Sequence, residues 1–438
     1  MQAPNFETYI FGNGTIDACY LNTTLSYPCG KGSVPPVGVE ARSIADIQAA
    51  VRFAAEHNLR LVIKNTGHDY LGRSTARGAF LLWTHKMKNI SYTDNFLPEG
   101  APPEMVPYKA LTLGAGVQWH EAYAAAELHG RYILGGVSGD GSIGAAGGWL
   151  MGGGHSALSA RHGLGVDNVL EFTIVTAKGD YVTANAYKNI DLFWALRGGG
   201  GGTYGVVVSA THRTHEIIPL IGTFFVGTLR SPEVAQKVMT EYIKIHPAFS
   251  DAGWGGYAFI SQTQLTFFYV APNISWAEAN DTIDPFFGLA RQIIPNAESD
   301  LQTYIAPYDS FYDWYRQVIF GGEQVGGNLE MGSRLIPREI MENSPEKVAE
   351  AMLAIEGGLT MCFVAGGAVS KVDPNSTGLN PAWRDAVGHV VFSDAWTEGQ
   401  SASYINMIRQ NLRQKIDIMD KVAPSSAAYF NEVSGTHS

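Results

Sequence analysis

The sequence contains 438 residues, with 30 Lys and Arg against 41 Asp and Glu, which gives a formal net charge of -11. A negative charge without a basic run argues against nucleic acid and against an anionic membrane surface as partners. A hydrophobic fraction of 45% with 9 Trp, 20 Tyr and 20 Phe excludes intrinsic disorder, and the longest apolar runs are too short to span a bilayer.

The first half of the chain alternates helices and strands. Residues 1–40 carry no regular pattern. Ser43 is then typical of a helix cap before SIADIQAAVRFAAEHN, which places Ile44, Ile47, Val51 and Ala54 on one face. The runs LRLVIK, FLLWTHKM, ALTLGAGVQW and VLEFTIVTAKG predict strands, and HEAYAAAELHG and DLFWALRG predict helices. This alternation indicates an α/β arrangement.

The pattern changes after about residue 216, where glycine becomes rarer and the elements lengthen. Helices are predicted in SPEVAQKVMTEYIKIHP, SWAEANDTIDPFFGLARQI and PEKVAEAMLAIEG, and over residues 401–422. Strands are predicted in GYAFISQTQLTFFYVAP, LTMCFVAGGAVSKV and AVGHVVFSDAW. We expect an α+β fold with one domain over residues 1–215, completed by a C-terminal return over residues 400–438. A second domain over residues 216–399 would hold an antiparallel sheet covered by helices.

The cysteines and glycosylation sequons bear on the cellular compartment. Cys19 and Cys29 lie ten residues apart in a Gly- and Pro-rich segment that a disulfide would fix, although two free thiols in a cytosolic chain are the alternative. Cys362 lies in an apolar run and is predicted to be buried and inert. Six N-x-S/T sequons occur, at Asn13, Asn22, Asn89, Asn273, Asn280 and Asn375. Together they favour a secreted, N-glycosylated protein, in a form without a signal peptide at Met1.

Glycine is concentrated where a cofactor could approach the backbone. Residues 135–205 hold 19 of the 50 glycines, and four clusters flank predicted strands: NTGHDYLGRS, GGVSGDGSIGAAGGWLMGGGHS, HGLGVDNV and RGGGGGTYGVVV. Simple strand-joining turns would explain one such loop, but four of them favour a cofactor with phosphates, which backbone amides can bind. The letters of GDGSIG fit a dinucleotide fingerprint without its preceding strand. A Walker A motif, a serine elbow and a metal-ligand cluster are absent from the sequence pattern.

These motifs carry a resemblance to a known family. The segments KNTGHDYLGRS, IGAAGGWLMGGGHSALSARHGLGVDNVLE, DLFWALRGGGGGTYGVVVSATHRTHE and YFNE resemble the FAD-linked oxidases of the vanillyl-alcohol oxidase/berberine bridge enzyme superfamily. The similarity runs from about Val37 to Glu432 and is greatest to the fungal secreted branch called isoamyl-alcohol-oxidase-like. It implies a PCMH-type two-part FAD-binding domain beside the α+β substrate domain.

The resemblance also implies the cofactor site. His68 falls where many members attach the flavin covalently, and Asp140 falls where some members carry a second, cysteinyl attachment, so a single covalent link through His68 is expected. The residues that would bind FAD are Asn65, Thr66, Gly67, His68, Asp69, Gly72, Ser74, Asp140, Ser142, Gly144, Gly147, Gly148, Gly154, His155, Gly205 and Val206.

The implied reaction is hydride transfer from a substrate carbon to FAD, followed by reoxidation with oxygen to hydrogen peroxide. Tyr429 and Asn431 are the catalytic candidates, and Tyr429 either serves as the base or packs on the flavin ring. The second domain offers further candidates that the sequence does not rank: Tyr257, Tyr269, Glu330, Arg334, His389 and Asp394.

Three activities remain open at this stage. The first is oxidation of a small alcohol or a secondary-metabolite carbon, the second a redox-neutral flavoprotein cyclase, and the third a flavin-free small-molecule binder. Family members continue past Y-x-N-E with an aromatic segment, so the sequence is expected either to be truncated by some tens of residues or to come from a member that lacks this closing segment.

Overall fold

The computed structural model describes residues 8–321 and 327–433. The chain opens with a hairpin of β1 (Thr8–Ile10) and β2 (Ile16–Ala18), followed by the Cys19–Cys29 disulfide. The predicted pairing of these cysteines is therefore confirmed. The expectation of irregular chain up to residue 40 is wrong for three short strands, because strands of three or four residues leave too little periodicity in a sequence to be recognised.

A small parallel sheet comes next. It contains β3 (Val37–Glu40), β4 (Leu61–Lys64) and β5 (Phe80–Trp83) in the order β3-β5-β4. Helix α1 (Ile44–Glu56) connects β3 to β4 along the chain. Ser43 caps α1 as predicted, because its hydroxyl accepts from the Asp46 amide while the Asp46 carboxylate accepts from the Ser43 amide. The loop after β4 begins at Asn65.

A five-stranded antiparallel sheet follows, in the order β10-β9-β11-β7-β6, together with a short pair of β8 and β12. The elements of this region are β6 (Ile90–Phe96), β7 (Tyr108–Gly114), α2 (Trp119–Glu127), β8 (Arg131–Tyr132), α3 (Gly148–Met151), α4 (Ser159–His162), α5 (Gly165–Asn168), β9 (Val169–Val175), β10 (Tyr181–Asn185), α6 (Ile190–Leu196), β11 (Val206–Arg213) and β12 (His215–Glu216).

The largest sheet has seven antiparallel strands in the order β16-β13-β15-β14-β18-β19-β17. Its elements are β13 (Leu220–Thr228), α7 (Pro232–Asp251), β14 (Gly255–Ile260), β15 (Gln264–Pro272), α8 (Trp276–Ile293), α9 (Ala297–Asp300), β16 (Leu301–Tyr308), α10 (Phe311–Trp314), β17 (Leu329–Pro337), α11 (Arg338–Asn343), α12 (Pro345–Leu353), β18 (Leu359–Phe363), α13 (Ala382–Asp385), β19 (Ala386–Ala395) and α14 (Ala402–Val422).

An aromatic and aliphatic core joins this sheet to its long helices. Phe225 of β13 and Phe267 of β15 stack at 5.0 Å between ring centroids, beneath Phe286 of α8. The strand predicted in LTMCFVAGGAVSKV ends at Phe363, because Gly366 and Gly367 adopt φ of 72° and 50° and turn the chain. The predicted α+β class is confirmed.

The domain limits predicted from the sequence stay a prediction, and their outer ends lie outside the described residues. The sheets nevertheless show where the chain passes from one part of the fold to the next. Sheet membership changes between Glu216 and Leu220. Helix α14, predicted within the returning segment, packs on β17 and β19, and residues 427–433 then run back to the glycine loops. Among the described residues no helix combines the length and apolar character needed to cross a membrane.

Candidate functional site

A cavity of about 410 Å³ lies where three of the four glycine clusters meet the C-terminal segment. Its wall is formed by selected residues within the segments 61–74, 137–151, 201–207 and 429–432, with Thr84 and Ala115. The fourth cluster, HGLGVDNV, lies behind the wall, where a Cβ on Gly165 would come within 2.7 Å of the Trp149 ring. That glycine therefore allows close packing of a wall residue rather than approach to a ligand.

The structure brings most of the predicted site residues to this cavity. The predicted residues that line it are Asn65, Thr66, Gly67, His68, Asp69, Ser74, Gly144, Gly147, Gly148, Gly205, Tyr429 and Asn431. The predicted residues that do not line it are Gly72, Asp140, Ser142, Gly154, His155 and Val206.

The residues outside the wall have identifiable positions. Gly72 turns the first loop at φ 78°, and Gly154, at φ 76°, is packed against the Trp149 ring. Gly205 and Val207 line the cavity, whereas the Val206 side chain is buried in the core around α1. The reason is that consecutive side chains of a strand point to opposite faces of the sheet. The structure thus separates Val206 from the predicted cofactor contacts.

The cavity wall suits a polar ligand that carries phosphates. A Cβ added at Gly147, Gly148 or Gly202 would meet nothing within 4 Å, so these positions present bare backbone to the cavity. Buried polar atoms of three wall residues also lack a hydrogen-bond partner among the described residues: both amide atoms of Asn65, Nη1 of Arg73 and Nε1 of Trp149. Unpaired buried donors are costly, so a ligand that accepts from them would be stabilised. The residues present therefore fit FAD.

His68 is fixed on the cavity wall by a short polar chain. Its Nε2 lies 2.7 Å from Ser142 Oγ, and the Ser142 amide donates to Asp140 Oδ1 at 3.0 Å. Burial lowers the pKa of His68 to about 4, although the nearby Asp140 carboxylate opposes this shift. At neutral pH the imidazole is therefore neutral and has a nitrogen lone pair. Ser142 and Asp140 thus orient His68 without lining the cavity themselves.

A second polar chain holds the C-terminal segment against the first glycine loop. Arg73 pairs with Asp69 at 2.7 Å and donates from Nη2 to Asn431 Oδ1 at 2.7 Å. Asn431 Nδ2 in turn donates to the Tyr429 hydroxyl and to the Gly148 carbonyl, both at 2.8 Å. Asn431 therefore acts as a connector between two walls of the cavity.

Tyr429 is buried among other rings. Its ring lies edge-on to those of His155, Trp383 and His389 at centroid distances of 5.2, 5.4 and 5.5 Å. Burial and the Glu432 carboxylate raise the pKa of the phenol far above its usual range, against a smaller opposing effect of Asn431. A phenol that stays protonated at neutral pH favours the packing role over the base, and the catalytic assignment of Tyr429 stays a prediction.

His155, His389 and Glu432 form a buried cluster next to the cavity. His155 Nε2 lies 3.2 Å from Glu432 Oε1, and His389 Nδ1 lies 3.4 Å from Oε2. Within residues 8–321 and 327–433 these are the three side chains of suitable type that come close enough to share a cation. The sequence analysis predicted no metal site, and that prediction stays untested.

Of the substrate-domain candidates, His389 reaches this cluster. Tyr257 is buried in β14 near it, whereas Tyr269 bonds to Tyr242 within the sheet core. The remaining candidates pair with helix α14 or the residue after it: Glu330 with Arg409, Asp394 with Lys415, and Arg334 with Asp420 and the Ala423 carbonyl.

Several wall residues were missed from the sequence. Arg73, Trp149, Thr203 and Glu432 all stand inside the motifs quoted above, each within two residues of one that was predicted. The signal was the motif itself, since a loop that wraps a ligand contributes neighbouring residues as well as glycines.

Comparison with known proteins agrees with this geometry. Residues 35–185 match a family described as an FAD binding domain. An uncharacterized FAD-linked oxidoreductase of Arthroderma benhamiae is 36% identical, over 99% of this chain and 76% of the relative. A VAO-type flavoprotein oxidase of Thermothelomyces thermophilus is 32% identical, over 98% of this chain and 73% of the relative.

Solved structures extend the match. The crystal structure of a VAO-type flavoprotein from Myceliophthora thermophila C1 superposes with a TM-score of 0.85 at 30% identity, over 94% of this chain and 75% of that one. Glucooligosaccharide oxidase from Acremonium strictum shares the fold, with a TM-score of 0.73 at 20% identity, over 92% of this chain and 84% of that one.

The chain therefore belongs to the FAD-linked oxidoreductases of the VAO type. The predicted family, fold, enzyme class (an FAD-dependent oxidase) and cofactor are confirmed by these matches. The substrate, peroxide formation, covalent attachment, glycosylation and secretion stay predictions.

Proposed function

We propose that this protein is a secreted oxidase that removes a hydride from a small alcohol or secondary-metabolite carbon, with FAD attached through His68 and oxygen as the final acceptor. When bound, FAD would supply the two-electron acceptor and would pass the electrons to oxygen, giving hydrogen peroxide. The observation that carries the proposal is His68, a neutral imidazole fixed on the wall of a cavity that fits a dinucleotide.

The chain's own residues would hold and orient the cofactor. Asn65, Arg73 and Trp149 offer buried donors without partners, and the loop around Gly147 offers bare backbone. Ser142 sets the His68 ring. The related fold of glucooligosaccharide oxidase carries a 6-S-cysteinyl, 8α-N1-histidyl FAD. A carboxylate at Asp140, which cannot form a thioether, supports one attachment here.

The surface of the protein supports secretion. The Cys19–Cys29 disulfide is a feature of oxidising compartments. Five of the six sequon asparagines are exposed and Asn280 is partly exposed, so each is open to an N-glycan. Expression in a eukaryotic secretory host, followed by endoglycosidase digestion, tests this part: an unchanged mass would contradict it.

Flavin spectroscopy and peroxide release test the proposed chemistry. We expect a visible flavin spectrum, a fluorescent band that survives acid precipitation and denaturing electrophoresis, and peroxide release with some members of a panel of primary and secondary alcohols. His68→Ala should release the flavin on acid precipitation, and exposed His57→Ala is the matched control. A colourless protein would refute the oxidase, and a flavin still attached in His68→Ala would refute the attachment site. Substrate conversion without peroxide would instead indicate a redox-neutral cyclase.

A further inference from the structure

Among the ionisable groups that line the cavity, Glu432 is the carboxylate whose side-chain neighbours are two histidines, His155 and His389, rather than an arginine. The other described groups are already committed: Asp69 is paired with Arg73, and His68 is bonded to Ser142. Tyr70 and Tyr429 are phenols whose pKa values are raised by burial and by Glu432, that of Tyr70 to about 12. Glu432 is therefore the wall residue best able to accept a proton.

We propose, on the basis of the oxidase function above, that Glu432 takes the hydroxyl proton of the substrate, with His155 and His389 as positioning residues. In this step the substrate C–H bond breaks and its electron pair leaves as a hydride, for which FAD, when bound, would supply the acceptor. The O–H bond breaks, its proton moves to a Glu432 carboxylate oxygen, and the carbon–oxygen bond becomes a carbonyl. The substrate loses one hydride, which carries both electrons, and one proton, so atoms and charge balance.

The two imidazoles lie beside opposite oxygens of the carboxylate. His155 Nε2 is hydrogen-bonded to Oε1 at 3.2 Å, whereas His389 Nδ1 lies 3.4 Å from Oε2 without the geometry of a hydrogen bond. Each carboxylate oxygen has two lone pairs, which leaves at least one on each free for a substrate. The Glu432 side chain is 25% exposed, whereas His389 is fully buried and the His155 side chain is 9% exposed. The histidines thus lie on the buried side of Glu432, and its carboxylate faces the cavity.

The charge state of the cluster supports this role. Burial by itself would raise the pKa of Glu432, but His155 and His389 outweigh it and lower the pKa, so the carboxylate is ionised at neutral pH. Burial lowers the pKa of His389 to about 4 despite Glu432, so that ring is neutral. At neutral pH Glu432 is therefore already in the ionised form that can accept a proton.

Two substitutions distinguish Glu432 from Tyr429. Glu432→Gln keeps the size of the side chain and one acceptor oxygen but cannot take a proton, and Tyr429→Phe keeps the ring packing. With the best alcohol from the peroxide screen, anaerobic flavin reduction should slow about 10²- to 10⁴-fold in Glu432→Gln, and less than tenfold in Tyr429→Phe. Formate should partly restore the rate in Glu432→Ala. The reverse ranking, or no rescue, would overturn the proposal.

The pH dependence provides a readout that a purely structural role would not change. Wild-type flavin reduction should fall at low pH as the carboxylate gains a proton, and this limb should vanish in Glu432→Gln. The other groups that face Glu432 are His155, His389, Tyr70, Tyr257, Cys362 and Tyr429. Retention of the acidic limb in the variant would assign it to one of these and contradict the proposal.

Two measurements do not depend on turnover. In ¹⁵N-histidine NMR spectra, Glu432→Gln should lower the pH at which His389 titrates, because the stabilising negative charge is gone. Unchanged titration would overturn the proposal, as would stoichiometric zinc in the purified enzyme that Glu432→Gln loses, since a metal would occupy the carboxylate. If wild type lacks flavin and peroxide release, the oxidase function itself fails. If wild type is active and Glu432→Gln matches it, only this inference fails.

Discussion

Burial of His212 should make the protein less stable in mild acid. The residue lies in β11 with no exposed surface, and neither ring nitrogen has a hydrogen-bond partner among the described residues. Burial lowers its pKa to about 3, whereas an unfolded histidine titrates near 6.5. Between these two values the unfolded chain holds a proton that the folded chain does not, so stability is full above pH 6.5 and falls as the pH drops toward 3.

The size of the effect follows from the two pKa values. Between pH 7 and pH 5, protonation of the unfolded state lowers the free energy of unfolding by about 2 kcal/mol for this residue. His212→Leu removes the titrating group and should flatten the pH dependence by that amount, whatever it does to stability at pH 7. His57→Gln, at an exposed position after α1, is the control and should leave the slope unchanged.

Urea unfolding of the flavin-loaded protein at pH 7, 6 and 5 measures this slope for wild type and both variants. Slopes that coincide in wild type and His212→Leu would refute the reasoning, since they would mean that folding does not depress the pKa of His212. A steeper slope in the variant would also refute it.

Two further predictions concern the cofactor site. Gly202→Val places a side chain in open space on the cavity wall, at φ 75°, and should lower FAD retention at least tenfold. The control is Gly130→Val, at φ 63° and away from the wall, which should leave FAD retention unchanged. Both substitutions carry the same backbone cost of about 1–2 kcal/mol. Ser142→Ala removes the 2.7 Å partner of His68 and should reduce covalent attachment several-fold while free FAD still binds, as shown by in-gel flavin fluorescence against total absorbance; full attachment would contradict the orienting role.

The helices of seven or more residues were predictable because their signals are local, whereas the shorter ones were not predicted. The cap at Ser43 and the apolar face of α1 lie within a few turns of each other, and α14 begins and ends within one residue of its predicted limits. Strands β13, β16 and β17 were not recognised. Their pairing partners lie far away in sequence, and the glycines in LIGTFFVGT and the proline in LQTYIAPY weaken the strand pattern.

The cofactor loops were predictable to the level of single residues where the motif is continuous. Residues 65–69 were predicted and all line the cavity. Val206 is the exception in the last glycine cluster, because its side chain, the first of β11, points into the core around α1, whereas Val207 lines the cavity. Side-chain alternation along β11 was the signal that could have indicated Val207.

The acid–base cluster depends on contacts that no local pattern contains. His155 and Glu432 are 277 residues apart, and His389 comes from the middle of β19. What brings Glu432 to them is the segment after α14: the Leu335 amide of β17 donates to the Ala427 carbonyl, and the Tyr429 amide donates to Ser333 Oγ at 3.1 Å.

This segment is therefore fixed to the seven-stranded sheet on one side and, through Asn431 and the Gly148 carbonyl, to a cofactor loop on the other. Its register decides which side chain meets the histidines. A shift of one residue would place Asn431 or Val433 there, and neither side chain can accept a proton at neutral pH. The proton acceptor and the cofactor cradle thus depend on the same few backbone contacts, so a substitution at Ser333 should affect both proton transfer and FAD binding although its side chain lines neither.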